Sequence, residues 1–559
     1  MNDLFRKINA TAEWKVISII IIATSLLYLG AIHVKPGPNL MEARNLIAAR
    51  ECVIDGHWLV TTMNGEPRLQ KPPLPTWITA LSMKAFADTN SIYVGRAPNI
   101  AIASLMALFI YLLSRHWFTK SFAMTCALIT VSSTIMLLEG HSATWDIYTV
   151  CFAFGGVWLL YNAILRDKST EPRQILIYTA GAGLLWGLSF LSKGPITLYS
   201  VMLPFLLALL LTKKRQGLRW WIIPVVITAG VLIGSSWWVT MNILHPETMD
   251  ILRQESQAWH TIHREAFYYY LVFPALIFPW TLPLAGSFIL PFIKKKDGTP
   301  ILSAGKRGDL IFFLVWLALS ILLLSVVPEK KYRYSMTAVL PASLAATFFL
   351  SALAGRGRTE LGRLPGLVRI LQTIQVPALS LTLTAAVLYY AKHIGSSTYL
   401  LVFVAVPVVL CLILWKKRKS SVEGFIITSV ATIILYTFAG AFISHDYYSY
   451  RSFYDKEEVD HTAMLTSGRQ LYIFKNYLKP VWALRRTARV ITRMTVVDNF
   501  PALIIVKENH IEEFRLWSET RGFNYREIYR FTYDFTDPPY YLFEFAPADK
   551  IVDPSGLSL

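Results

Sequence analysis

Glu42, Lys71, Asp146, Lys193, Arg333 and Tyr334 lie far apart in this chain, yet each stands where an apolar run meets polar sequence. Together they offer two carboxylates and three cations. Cations of this kind stabilise charge developing on a leaving phosphate, and a carboxylate takes up or directs a proton. Each also has a plainer reading. Asn39 followed by Glu42 has the spacing of a capping box, so Glu42 has a structural role open to it beside a chemical one. Arg44 offers it an ion-pair partner. Asp146 heads an apolar run, where a carboxylate suits the positive end of a helix, and Ser142 or Thr144 could cap instead. Any single lysine near a membrane surface is ordinarily solvated or snorkelling. Convergence of Lys71, Lys193 and Arg333 on one face would be harder to dismiss.

A second group lies in the polar segment 244–269, which carries Arg253, Glu255, His260, His263 and Arg264. His260 and His263 have helical i,i+3 spacing, and Glu255 would complete a metal triad, but the signal is weak. We expect no metal here and take Glu255, His263 and Arg264 as substrate-binding candidates. The aromatic residues that follow, Tyr268 to Tyr270 and Trp280, suit an interfacial belt.

The elements positioning these residues are membrane helices. Of 559 residues 54% are hydrophobic and 16% charged, and the mean hydropathy is +0.43. Apolar runs of roughly 18–22 residues recur, long enough to cross the hydrocarbon core, and in lipid such runs are helical. We place spans at 16–34, 92–114, 120–138, 147–165, 174–192, 196–212, 220–243, 270–293, 309–327, 335–354, 367–391, 397–415 and 422–443. That makes about 13 transmembrane helices in a polytopic α-helical membrane protein. The net charge of +18 is explained by basic clusters in alternate short loops, among them Lys213-Lys214-Arg215 and Lys416-Lys417-Arg418-Lys419. This is the positive-inside pattern, so no nucleic-acid partner is implied. With the N-terminus inside, the candidate residues fall on the outer side. Cys52, Cys126, Cys151 and Cys411 are scattered and suggest neither a disulfide framework nor a metal knuckle. The first run lacks a cleavage site and is expected to remain as a helix.

Within the first outer loop, 35–91, residues 40–53 and 74–87 are expected to form amphipathic interfacial helices. From about Asp446 the composition becomes that of a soluble α/β domain, 446–559, following a membrane domain of 1–445. Strands are expected at 471–474, 501–506 and 540–545, with a helix over 509–521 capped by Asn509.

The order of Glu42-Ala43-Arg44, Lys71-Pro72-Pro73-Leu74, Asp146 at a span head, Ser192-Lys193-Gly194-Pro195, Pro279-Trp280 and Arg333-Tyr334 resembles the polyprenyl-phosphate glycosyltransferases of the GT-C type. The branch it is most similar to contains the lipid A aminoarabinose transferases and the protein mannosyltransferases. The resemblance implies a GT-C fold with a C-terminal periplasmic domain. It also implies transfer of a sugar from a polyprenyl-phosphate-linked donor to a lipid or protein acceptor at the periplasmic face of a bacterial inner membrane. By the same resemblance Glu42 would be the principal acid/base, with Asp146 in support, and Lys71, Lys193, Arg333 and Tyr334 would hold the donor phosphate. Two positions depart from the family. Met41 precedes Glu42 where an Asp-Glu pair is usual, and Gln70 precedes Lys71 where Glu is common. The missing Glu would have had the metal role, so no cofactor is expected. Membrane lipids are the surrounding partner and a monomer the default. A protein O-mannosyltransferase-like enzyme is the first alternative. A transporter or flippase is the second, but it would place ionisable groups at mid-membrane and often show repeats.

Overall fold

The computed structural model describes residues 3–34, 37–165, 171–212, 218–261, 264–294, 299–354, 422–427, 429–434, 456–491, 500–532 and 538–547, with a few isolated positions besides. Among them seven helices are long and apolar enough to cross a membrane: Glu13–Ala31, Ile92–Ser114, Asp146–Ile164, Pro172–Lys193, Ile222–Leu244, Ala304–Val326 and Tyr332–Ala354. The expected spans 367–391 and 397–415 lie outside the described residues apart from Leu381, and the span at 422–443 is seen as helical residues between 422 and 438. A short helix, Asp3–Ala10, precedes the first span, and the Phe5 N–H donates to Glu423 Oε1 at 2.9 Å.

Two expected spans are bent rather than straight. Lys120–Val131 and Thr134–Gly140 meet at 57°, and Phe267–Leu276 and Thr281–Phe292 meet at 111°. In lipid every backbone group freed by a bend needs a protein partner. Here the bends serve each other: the Thr134 N–H and hydroxyl both donate to the Phe278 carbonyl at 2.9 Å. Trp280 Nε1 donates to Ser132 Oγ at 3.0 Å. Pro279, which has no N–H to leave unpaired, stands at the second bend.

Glycine sets the approach of helices Pro172–Lys193 and Ile222–Leu244. A Cβ on Gly183 would lie 2.8 Å from Ala229 Cβ, and one on Gly230 would lie 3.0 Å from Trp186 Cβ. A Cβ on Gly234 would fall onto the Cβ and ring of Phe190, neither of which is a flexible tip. Close backbone approach through small residues is the main source of helix association in lipid. Gly234→Leu is therefore expected to cost about 2 kcal/mol or more through overpacking. Thermal unfolding of the detergent-solubilised protein checks this against Gly308→Leu, where an added Cβ meets nothing within 4 Å. A midpoint equal to that of the control would disprove the close-packed seam.

The chain clusters into two compact units. The first comprises Met1–Val34, Leu69–Pro75 and Arg96–Ile443; the second comprises Lys35–Arg68, Thr76–Gly95 and Ser444–Leu559. Most of the first polar loop thus groups with the C-terminal residues. The reason is visible in Arg50, whose guanidinium donates to the carbonyls of Trp482 and Val481 at 3.2 Å each and lies 4.8 Å from the Trp482 ring centre. The helix expected at 40–53 is observed as Leu40–Ile54. It is not the amphipathic surface helix expected, because nearly every residue from Glu42 to Cys52 is buried. The helix expected at 74–87 is Leu74–Ala85.

The second unit holds a two-stranded hairpin, β1 (Thr62–Met63) and β2 (Glu66–Pro67), and a five-stranded sheet. The sheet comprises β3 (Leu471–Ile473), β4 (Arg489–Val490), β5 (Ala502–Lys507), β6 (Phe523–Phe531) and β7 (Tyr540–Pro547), in the order β4-β3-β5-β7-β6. β3 pairs in parallel with β4 and β5, whereas β5–β7 and β7–β6 are antiparallel. Strands β3, β5 and β7 match the expectation; β4 and β6 do not appear in it. β6 alternates mainly between exposed and half-buried positions and so lacks the apolar run that marks its neighbours. Helix Ile511–Thr520 packs its Phe514 and Trp517 rings against Phe543 and Phe545 of β7. Its N-cap is His510 rather than Asn509, because Glu508–His510 form a separate 3-10 turn.

Candidate active site

Asp146 and Lys193 occupy complementary helix ends. Asp146 opens helix Asp146–Ile164, and Lys193 closes helix Pro172–Lys193. A carboxylate at an N-terminus and an ammonium at a C-terminus both align with the helix dipoles. Neither Ser142 nor Thr144 caps the first helix; Trp145 is its N-cap residue and supplies no side-chain bond. The second helix ends at Gly194, whose φ of 99° suits glycine, and Pro195 prevents continuation. The chain then passes through a π-helical turn, Leu198–Met202, of the kind often found beside functional sites.

The Lys193 ammonium donates to Asp146 Oδ1, and the Arg333 Nε lies 3.9 Å from Asp146 Oδ2. Lys193 Nζ also sits 4.8 Å from the centre of the Tyr334 ring, a cation–π contact. The Asp146, Lys193 and Arg333 side chains retain only 6%, 9% and 13% of their exposure, so these charges face one another with little screening by water. Lys71 belongs to the same unit and acts electrostatically on both Asp146 and Lys193.

Arg333 reaches this place because its neighbours are held elsewhere. Lys330 donates to the carbonyls of Val327 at 2.8 Å and Glu265 at 3.0 Å, and Lys331 pairs with Glu329 at 2.5 Å. Tyr270 donates to the Lys331 carbonyl at 3.3 Å. Arg333 and Tyr334 then fall on the 3-10 stretch Tyr332–Ala338, which continues into helix Val339–Ala354.

The structure thus brings together Asp146, Lys193, Arg333, Tyr334 and, through its field, Lys71. Glu42 and Arg44 belong to the other unit. There Glu42 is fully buried, and the Asn39 carboxamide accepts from the Met41 and Glu42 N–H groups at 2.9 Å each, so Asn39 caps the helix as expected. Arg44 Nη1 lies 3.7 Å from Met41 Sδ. Arg264 is exposed, and its backbone bridges to Glu329. The side chains of Glu255 and His260, and the whole of His263, lie outside the described residues, and with them the metal pair considered above.

Two acids were not singled out by sequence. Glu139 is buried on the short helix Thr134–Gly140, hydrogen-bonds to Tyr332, and interacts electrostatically with Asp146, Arg333 and Lys193. The bend that carries it there gave no signal beyond Ser132-Ser133. Glu51 is the other. Its carboxylate accepts from Thr62 Oγ1 at 2.5 Å, the Asn64 N–H at 2.7 Å and the Gly65 N–H at 3.3 Å. Burial pushes this carboxyl above the usual range, with those three bonds opposing the shift. Potential metal-ligand atoms of Glu51, Asp55 and His57 lie within 4.8 Å of one another. His57 Nδ1 is engaged with Thr62 Oγ1 at 2.8 Å, however, so the arrangement serves as a lock on the β1–β2 hairpin.

The chain is similar to known proteins in the same sense as its geometry. The family described as dolichyl-phosphate-mannose-protein mannosyltransferase matches residues 70–239, a stretch containing Lys71, Asp146 and Lys193. An undecaprenyl phosphate-alpha-4-amino-4-deoxy-L-arabinose arabinosyl transferase of Pectobacterium carotovorum is 23% identical over 369 residues, covering 62% of this chain and 61% of that relative. One from Proteus mirabilis is 23% identical over 349 residues, covering 59% of this chain and 58% of its own length. The chain therefore spans about three fifths of these relatives. Among solved structures, ArnT from Cupriavidus metallidurans bound to undecaprenyl phosphate superposes with a TM-score of 0.71 at 13% identity, covering 95% of this chain and 98% of that one. A likeness extending over nearly both chains at so low an identity speaks for shared architecture: this protein is a polytopic helical membrane protein with the GT-C glycosyltransferase fold.

Proposed function

We propose that this protein transfers a sugar from a polyprenyl-phosphate donor to a lipid A-type acceptor at the periplasmic face of a bacterial inner membrane. The observation that carries the reading is the buried group of Lys193, Arg333 and Asp146, with Lys71 acting on it, at one end of several spans. Three cations against Asp146 and Glu139 leave an excess suited to an anion. In the transfer, the acceptor oxygen bonds to the anomeric carbon as the bond from that carbon to the phosphate oxygen breaks. The polyprenyl phosphate leaves with both electrons, its charge taken up by Lys71, Lys193 and Arg333, and the acceptor proton passes to a base. Glu42 is that base in our reading, a role that rests on the resemblance of its motif. Phosphate paired with cations is a competent leaving group, so positioning and electrostatics supply most of the acceleration. Our reading keeps the thirteen spans drawn from the apolar runs; with the basic clusters on the inner side, an odd count puts the C-terminal α/β domain in the periplasm.

Mass spectrometry of lipid A and envelope proteins, from cells with and without the gene, tests this. Loss of one sugar from lipid A is the expected result. Loss from glycoproteins alone would replace the acceptor, and a translocation defect with neither loss would replace the enzyme by a transporter.

A further inference from the structure

The segment 461–491 carries six cations, Arg469, Lys475, Lys479, Arg485, Arg486 and Arg489, and no carboxylate side chain. Three of them are engaged by neighbours in the same unit. Arg469 pairs with Glu544 at 2.9 Å, Lys475 pairs with Glu513 at 2.6 Å, and Arg486 donates to the carbonyls of Thr466 and Arg469. Arg485 and Arg489 are exposed, and among the described residues neither has an ion-pair partner. Arg485 is placed at a cost. It follows helix Leu478–Ala483 and the cap residue Leu484, and its φ is 58°. A left-handed residue just past a helix end is ordinarily glycine, because a Cβ there crowds the backbone. Glycine would serve the fold better, so the guanidinium at this position calls for a use outside the fold.

Arg489 stands on the edge strand β4, and its side chain runs beside the turn of the β1–β2 hairpin. A Cβ on Gly65 would lie 3.9 Å from Arg489 Cγ and 4.0 Å from its Nε. Glu66, next to Gly65, is exposed and pairs with neither arginine. Charge on an edge strand also deters pairing with other chains. That reading does not reach Arg485, which lies in the turn before the strand. A diffuse anionic surface attracts lysine and arginine alike, whereas a guanidinium matches a discrete phosphate in bidentate fashion. Four residues apart, the two Cα atoms stand at most about 14 Å from each other, a span of the order of a disaccharide. We propose that Arg485 and Arg489 form a docking surface for the phosphates of the lipid A-type acceptor, a disaccharide headgroup bearing two phosphates. The proposal rests on the acceptor reading above and deepens it, giving the acceptor phosphates cations distinct from those assigned to the donor.

The test is equilibrium binding of bisphosphorylated lipid A to the full-length detergent-solubilised protein, with undecaprenyl phosphate and phosphatidylglycerol measured beside it. Arg485→Gly should weaken lipid A binding about tenfold. Its thermal midpoint should be as high as that of the unaltered protein or higher, because glycine relieves the left-handed residue. A purely structural arginine would not show these two results together. Arg489→Gln should weaken binding by a similar factor with the midpoint unchanged, and it carries the test if the first variant fails to fold. Undecaprenyl phosphate and phosphatidylglycerol should bind the variants and the unaltered protein alike. Unchanged lipid A affinity in the folded variants would overturn the docking surface while leaving the acceptor reading standing. An equal loss of affinity for phosphatidylglycerol would make the arginines a general anchor to anionic lipid and overturn their assignment to the acceptor. Failure of the unaltered protein to bind lipid A would overturn the acceptor reading and this surface with it.

Discussion

Lys193→Met is expected to abolish sugar transfer and also to destabilise the protein by about 3–5 kcal/mol, because it leaves the Asp146 carboxylate buried without its ammonium partner. The two effects have different physical origins and can be separated. Asp146 and Lys193 keep 6% and 9% of their side-chain exposure, so water does not compensate for the loss of either. In the double variant Lys193→Met/Asp146→Asn no uncompensated carboxylate remains, and removal of both charges of a buried pair is often close to neutral. Its thermal midpoint should return most of the way to that of the unaltered protein, while transfer stays absent. Full activity in the stable double variant would show the pair to be structural only. Lys71→Ala provides the complementary case: it should likewise eliminate transfer, but with a small effect on stability. The assay is transfer from a polyprenyl-phosphate donor by purified protein, with thermal unfolding measured on the same preparations.

Glu42→Gln should reduce turnover by at least about a hundredfold, the order expected when a general base is removed. Glutamine preserves the volume at this fully buried position, and the Asn39 cap acts through backbone N–H groups that the substitution does not touch. The helix Leu40–Ile54 should therefore form as before, and donor affinity should be maintained. Asn39→Ala separates the cap from the chemistry: it should cost about 1 kcal/mol of stability, with turnover changed little by comparison. Should Glu42→Gln retain near-normal turnover, the acid is only a helix-start residue, and the base must be sought elsewhere, Glu139 first.

What could be read from the sequence follows from the kind of signal each element emits. Apolar runs such as Ala304–Val326 announce themselves, since lipid imposes helix on any run of that length. The convergence of Asp146, Lys193 and Arg333 was legible because each sits at a boundary where an ionisable group is costly without a purpose. Bends were not legible. The partner that stabilises the break at Ser132-Ser133 is the Phe278 carbonyl, distant in sequence, and nothing local encodes it. Glu139 was missed for the same reason. The burial of Leu40–Ile54 was misread because its sequence mixes Glu42, Arg44, Asn45, Arg50 and Glu51 among apolar residues, the composition of an interfacial helix. All of these polar groups but Arg44 are buried, Asn45 donating to Thr79 at 3.1 Å for example, and pairing of that kind leaves no periodic trace. In the C-terminal residues, β6 escaped notice because an edge strand with one neighbour carries less apolar residue content than a central one.

The mutual hydrogen bonding of the two bent spans has a consequence for how the protein is made. Thr134 emerges from the ribosome 144 residues before Phe278, and until the later hairpin arrives its amide and hydroxyl lack the carbonyl that finally receives them. The bend between Lys120–Val131 and Thr134–Gly140 therefore reaches its final hydrogen bonding only once the later bent pair is in place. A chain ending before Phe278 would leave the Thr134 amide and hydroxyl without the acceptor they have in the complete fold, at a depth where an unpaired donor is costly.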